Sequence, residues 1–363
     1  MRPDEKRRAE VEVKLLFGLF DIMQVLEETT SRKAYSEHLS DAVLADELGL
    51  DYYFVAERHF MPVYRSPSPS VWLGAVAART KRIRIGALAY TLPMHSPVRL
   101  AEEVSMLDHL SGGRMEVGVG LGHRPEELLS IGVDPEFRRP LLLEGVVVMQ
   151  RAWRGMPFDH PGQVYEYQNL YVEAPIQQPS PPMWFAGNDP EALTWASRNG
   201  ISGAIGFQPN DRLIVPATAF RTAEKFESAV IPERGQHLAL MRHLYVAESD
   251  ERAMEEMTRD IMEMGERFAA SPRGINASPP NKMSRDDARK SVQHMLDTDV
   301  IIGGGPETCA AAIAKAVKQL GIDVFLANPY LTGVESRRVR RTLRFFANSV
   351  RTRVEELTST EES

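Results

Sequence analysis

The sequence predicts an α/β protein in which eight parallel strands alternate with helices, a pattern that fits a closed (β/α)8 barrel or a large open sheet. Three observations carry the prediction. Short β-rich runs recur along most of the 363 residues, helical apolar stripes lie between them, and proline or glycine marks several of the boundaries. A chain of this length buries a large core, and α/β barrels commonly exceed the usual domain size, so one domain accommodates it.

The first strand spans 13–20. A helix over 36–48 follows, with Leu44 and Leu48 four apart on one face, and Gly49 ends it where positive φ is cheap. Residues 51–56 form the second strand. In Ser66-Pro67-Ser68-Pro69, Ser68 can cap and Pro69 loses nothing at a first helical position, so a helix runs from there to Arg79. The third strand, 82–89, alternates Ile83 and Ile85 with arginines, and Pro97 opens a helix carrying Leu100, Val104 and Leu107. Residues 115–120 make the fourth strand and 141–153 its helix. The fifth and sixth strands, 183–186 and 201–207, flank a helix opened by Pro190, and 238–246 is the seventh. Pro306 opens a last helix with Ile313, Val317 and Leu320 on one stripe, Gly321 closes it, and 323–327 is the eighth strand. Two insertions interrupt the alternation: 155–182, bearing Tyr165, Tyr167 and Tyr171, and 269–299, whose Pro/Ser/Asn-rich part reads as a lid. The domain plan is a charged tail over 1–10, one domain over 11–350, and a frayed polar tail over 351–363.

Composition narrows the function. At 43% hydrophobic and 26% charged, with no apolar run long enough to cross a bilayer, the chain reads as a soluble globular protein with no membrane association. The charged start lacks an apolar core of the signal-peptide type, so a cytoplasmic location is expected. Cys309 is the only cysteine, which rules out an intrachain disulfide and a thiolate cluster. A net charge of -7 and the lack of a basic block interleaved with aromatics argue against nucleic acid. Neither His-x-His nor His-Glu-x-x-His occurs, so no metal site is expected, and no Gly-x-Ser-x-Gly elbow supplies a serine nucleophile.

In a barrel the active site lies where strand C-termini meet the loops that follow. The second strand ends in Ala56-Glu57-Arg58-His59-Phe60, which offers a carboxylate, a cation and an imidazole; alternation points Glu57 and His59 one way and Arg58 the other. This is either a catalytic corner or a buried ion pair that only stabilises the rim. The fourth strand runs into Gly118-Val119-Gly120-Leu121-Gly122-His123-Arg124, which lets a cofactor ring approach the backbone or simply turns the chain; as a dinucleotide fingerprint it fails, because the third glycine falls at His123. Ala186-Gly187-Asn188-Asp189-Pro190 presents unpaired N–H groups suited to a phosphate, or is only a helix cap. Gly303-Gly304-Gly305-Pro306 reads as a cap.

Taken together, Ala56-Glu57-Arg58-His59-Phe60, the segment from Gly86 to Pro93, Ser96-Pro97-Val98-Arg99-Leu100-Ala101-Glu102-Glu103 and Leu107-Asp108-His109-Leu110-Ser111-Gly112-Gly113-Arg114 resemble, in order and spacing, the bacterial-luciferase-like flavin monooxygenases. The resemblance covers roughly 13–346 and implies a (β/α)8 TIM barrel with insertions at its C-terminal face. It implies reduced FMN from a separate flavin reductase, dioxygen as co-substrate, a small apolar organic substrate and a homodimer. Carried over residue by residue, Leu88, Ala89 and Gly120 line the flavin ring, Gly187, Asn188 and Asp189 hold its phosphate, and the Leu88–Ala89 peptide is cis. The luciferase branch has two adjacent histidines after the glutamate, whereas here Arg58 stands first and His59 alone serves as imidazole acid/base. Gly120 and Leu121 stand where that branch has a reactive cysteine and a phosphate-binding arginine, so Arg124 is the replacement cation. Two alternatives stay open within the fold: a deazaflavin-dependent hydride-transfer oxidoreductase and a non-catalytic flavin-binding relative.

Overall fold

The computed structural model describes residues 15–359 apart from 26–27, 123, 230, 233, 271–283 and 332–333, with the backbone alone over 264–270. In chain order the elements begin β1 (Leu16–Asp21), α1 (Ser31–Glu47), β2 (Tyr52–Val55), α2 (Pro69–Arg79), β3 (Arg84–Thr91), α3 (Pro97–Ser111) and β4 (Met115–Gly120). They continue α4 (Pro125–Ser130), α5 (Arg138–Ala152), β5 (Phe158–Pro161), β6 (Glu166–Leu170), β7 (Met183–Ala186), α6 (Pro190–Arg198), β8 (Ser202–Gly206) and α7 (Asn210–Thr222). Last come β9 (Leu238–Val246), α8 (Asp250–Ala270), α9 (Arg285–Asp297), β10 (Ile301–Gly304), α10 (Pro306–Leu320), β11 (Val324–Asn328), α11 (Ser336–Phe345) and α12 (Arg351–Ser359).

Eight parallel strands close on themselves in the order β1-β2-β3-β4-β7-β8-β9-β11 and back to β1. The barrel is therefore closed, and no open edge is left for a ligand to bind across. Its interior is packed. Tyr52, Phe54 and Trp184 meet ring to ring, and Arg84 bonds Glu116, whose other oxygen accepts from the Trp184 indole at 2.6 Å. These residues sit low on their strands and close the end opposite the loops, so their buried charges are structural.

Local chemistry explains most boundaries. Gly49 follows α1 at φ 74° and Gly321 caps α10 at φ 61°, conformations that cost glycine little. Helix α1 begins at Ser31 rather than residue 36, because Thr30 accepts a cap bond from the Lys33 N–H and the exposed first turn carries no apolar stripe to read.

Four features differ from the sequence reading. Strand β10 is a ninth strand of the sheet: the last residues of β9, His243 to Val246, pair with Ile301–Gly304 on the side away from β11, directly before the Gly305 cap of α10. The 155–182 insertion folds into the antiparallel hairpin β5–β6, held by Glu144, which accepts from the Tyr165 N–H at 2.8 Å and from His160 at 3.1 Å. Within 269–299, α9 is helical; the Pro/Ser/Asn-rich part over 271–283 lies outside the described residues, as do 1–14. Residues 351–359 are not a frayed tail but helix α12, whose Val354 is buried in the core against the preceding turns. Among the described residues no helix is long and apolar enough to cross a membrane.

Candidate active site

At the C-terminal end of the barrel, where the strands hand over to their loops, lies a cavity of about 580 Å³. Its walls are Phe20 and Ile22 at the end of β1, Arg58 and Tyr64 after β2, Leu88, Ala89 and Thr91 of β3, and Gly120 to Gly122 from the last residue of β4 onward. Phe185 to Asp189 at the end of β7 and in its loop, Gly206 to Gln208 from the last residue of β8 onward, and Met241 with His243 of β9 complete it. Of the residues singled out from the sequence, Leu88, Ala89, Gly120, Gly187, Asn188 and Asp189 all meet here, together with Arg58. The Leu88–Ala89 peptide is cis, and the pairing of β3 with β4 shifts register between Ala87 and Tyr90.

Glu57 sits just behind this wall, 2% exposed. Its Oε1 accepts from His59 Nε2 and from His95 Nε2, each at 2.8 Å, and its Oε2 accepts the Thr91 N–H at 2.6 Å. Burial alone would raise its pKa, but the bonds from His59, His95 and Thr91 outweigh that and hold it at about 2. His95 is lowered by burial and raised more by Glu57, with a net upward shift. Since Oε1 can only accept, both rings turn an N–H toward it, and a neutral ring carries its lone pair on Nδ1. Alternation places Glu57 and His59 together, as the sequence suggests, but it is Arg58 that faces the cavity. Its guanidinium bonds the Glu57 carbonyl at 3.0 Å and lies 5.8 Å from the Tyr64 ring centre.

In the loop after β7 the helix-cap alternative of the sequence reading is met. Asn188 spends its side chain on Gly206, donating to the carbonyl at 2.9 Å and accepting the N–H at 3.0 Å. Asp189 caps α6 through the Ala192 N–H at 2.7 Å. These two side chains shape the loop, and what it offers an anion is the amino-terminal end of α6. Arg124 is not among the residues lining the cavity; its Nη1 lies 3.0 Å from the Met61 sulfur and its Nε 3.6 Å from Glu127. Arg139 pairs with Glu191 in the first turn of α6 at 3.5 Å and, like Arg124, is not among the residues lining the cavity.

Residues 16–324 match the family model described as luciferase-like monooxygenase. The chain belongs to the luciferase-like monooxygenase family. It is accordingly an oxidoreductase. Within this family it is 38% identical over 242 residues to an uncharacterised protein of Sinorhizobium fredii, covering 66% of this chain and 70% of that one. It is 30% identical over 247 residues to the oxygenase component of a flavin-dependent trigonelline monooxygenase of Acinetobacter baylyi, covering 65% and 66%. In fold it is similar to the oxygenating constituent of 3,6-diketocamphane monooxygenase of Pseudomonas putida in complex with FMN, with a TM-score of 0.75 and 18% identity over 94% of this chain and 98% of that one.

Two residues of this luciferase-like site escaped the sequence reading. His95 lies between two motifs that were read separately, and nothing in its spacing announces Glu57, 38 positions away. His243 sits in a nine-residue strand next to Arg242, and its direction into the barrel follows only from counting β9 inward from Met241. Burial and the neighbouring Arg242 guanidinium hold His243 down at about 4, so its ring is neutral.

Proposed function

We propose that this luciferase-like chain is the oxygenase of a two-component flavin monooxygenase, taking reduced FMN from a separate reductase and using dioxygen to oxidise a small organic molecule. The observation that carries the reading is the cavity itself. Its volume lies within the ~300–1,000 Å³ usual for cofactor and small-molecule sites. A Cβ on Gly120 would stand 3.3 Å from that of Ala89 and 3.6 Å from the Ala186 carbonyl, so the glycine keeps the floor open for a flat ring. The α6 start, whose capping Asp189 lines the cavity, suits a phosphate at the far edge. Bound there, reduced FMN supplies the two electrons that activate dioxygen.

The protein's own residues do the rest. Phe20, Phe185, Phe207 and Leu88 make an apolar wall that keeps water out. Arg58 brings a positive charge to the cavity, which favours negative charge developing on oxygen. Behind it, Glu57 fixes the end of β3 through Thr91 and orients the His59 and His95 rings, each of which donates to its Oε1. A homodimer is part of the same reading, supported by Val71, Met106 and Leu110, which stand exposed on the adjacent helices α2 and α3.

Titration with reduced FMN in the absence of oxygen, followed by admission of air, tests this. A dissociation constant of roughly tens of micromolar or tighter, with oxygen uptake sustained by NADH and an unrelated flavin reductase, is expected. Failure to bind FMN removes the reading, and turnover without oxygen on a reduced deazaflavin replaces it with hydride transfer.

A further inference from the structure

Beside the barrel-mouth cavity lies a second one of about 470 Å³, and the two share Ile22, Tyr64 and His243 as a common wall. An isolated bridge between Gln24 and Tyr64 ties the loops at this junction. The far walls come from α8, with Met257 and Ile261, and from α9, with Val292 and Met295; Ile301 of β10 closes the back. These helices and β10 belong to an apolar cluster of their own, separate from the barrel core. A space this size is no packing defect, since interiors tolerate few voids larger than a water molecule.

Its electrostatics restrict what it can hold. Asp260 faces the space, but both its oxygens are taken by Arg338, at 2.7 and 2.8 Å in a buried two-point pair. His243, at the junction, is neutral for the reasons given above. The lining therefore presents no unpaired charge, and a charged guest would leave water without a partner. Met257 and Met295 supply unbranched, polarisable side chains that adapt to more than one apolar outline. Ser291, Gln24 and Tyr64 add a few polar atoms.

We infer that the α8–α9 chamber is the substrate site, holding an uncharged, mainly apolar organic molecule whose oxidisable end lies at the Ile22–Tyr64–His243 boundary with the barrel mouth. As a substrate assignment this rests on the flavin reading above, but occupancy of the chamber is measurable without flavin. Two brominated probes share one apolar body, and the second adds a carboxylate: 4-bromobiphenyl and 4'-bromobiphenyl-4-carboxylate. The flavin-free full-length protein binds the first at least tenfold more tightly than the second, and in soaked crystals the anomalous bromine peak lies between α8 and α9. Met295→Trp, which fills the chamber, weakens 4-bromobiphenyl at least tenfold while FMN affinity stays within about threefold; if that variant melts below the assay temperature, Ile261→Phe gives the same result. Equal affinity for the two probes, unchanged binding in the filled variant, or a bromine peak elsewhere overturns the inference. Loss of FMN binding by the unaltered protein would instead remove the flavin reading and leave the chamber result standing.

Discussion

A buried carboxylate with two imidazoles on one oxygen sets the chemistry of this site at the scale of single residues. Glu57 keeps its charge because three donors converge on it, and the sign of its pH effect follows from that. Its folded pKa, about 2, lies below the ordinary 4.5, so the stability it contributes is complete above pH 4.5 and is lost as pH falls toward 2. His95 runs the other way: its pKa is raised, so its contribution is present below 6.5 and is lost as pH rises through the raised value. The Glu57–His95 bond enters both shifts and should be counted once; Glu57 is also held down by His59 and the Thr91 N–H. Glu57→Gln removes the charge that the Thr91 N–H and the two imidazoles surround, turning charge-assisted bonds into neutral ones, and should cost about 2–3 kcal/mol. Thermal melts between pH 4 and 9 check this: the unaltered protein should lose stability on the alkaline side, and both Glu57→Gln and His95→Gln should flatten that limb. An unchanged alkaline limb in His95→Gln would remove His95 from the pair. Of this cluster the sequence displayed Glu57 and His59, because neighbours in sequence on one strand end stay neighbours in space. It hid His95, because contact across 38 residues depends on how β2 and β3 align.

At the scale of elements, capping chemistry and strand pairing divide what was legible from what was not. Proline at the starts of α2, α3, α6 and α10 marked their first turns, and all four helices begin where proline said. Strand β10 stayed hidden because four residues of Ile-Ile-Gly-Gly form a strand only when β9 overshoots to meet them. The same logic changes the roles expected for the loop after β7. If Asn188 and Asp189 hold the loop rather than a phosphate, their variants must separate stability from affinity. Asn188→Ala removes both bonds to Gly206 and should cost about 1–3 kcal/mol, loosening the turn that carries Phe207 at φ 57° and weakening FMN binding with it. Asp189→Ala loses only the α6 cap, about 1 kcal/mol, and also removes a negative charge from the anion's side of the helix. FMN affinity should therefore hold steady or rise in Asp189→Ala while Tm falls. A large drop in affinity would make Asp189 a ligand after all.

For the whole molecule, the closed barrel follows from motifs rather than periodicity, since eight βα units fit an open sheet equally well and only the return pairing of β11 with β1 decides. The same holds for assembly, because a dimer leaves no periodic mark on a sequence. Three exposed apolar side chains motivate the proposed two-fold contact. Val71 on α2 is 78% exposed, and on α3 Met106 and Leu110 are 61% and 62% exposed, four residues apart on one helical face. Helices α2 and α3 pack against each other, so these side chains belong to one side of the barrel, away from the mouth and from the α8–α9 chamber. Fully burying a side chain of this size contributes about 1.5–3 kcal/mol, so a two-fold contact that covers three from each copy has ample driving force before its entropic cost. Met106→Asp with Leu110→Asp places two carboxylates on each copy at such a contact. The double variant should sediment as a monomer at micromolar concentration where the unaltered protein sediments as a dimer, with its melting profile retained because neither residue belongs to the core. Sedimentation of the unaltered protein as a monomer would remove the dimer, and dimerisation of the double variant would move the interface to another face.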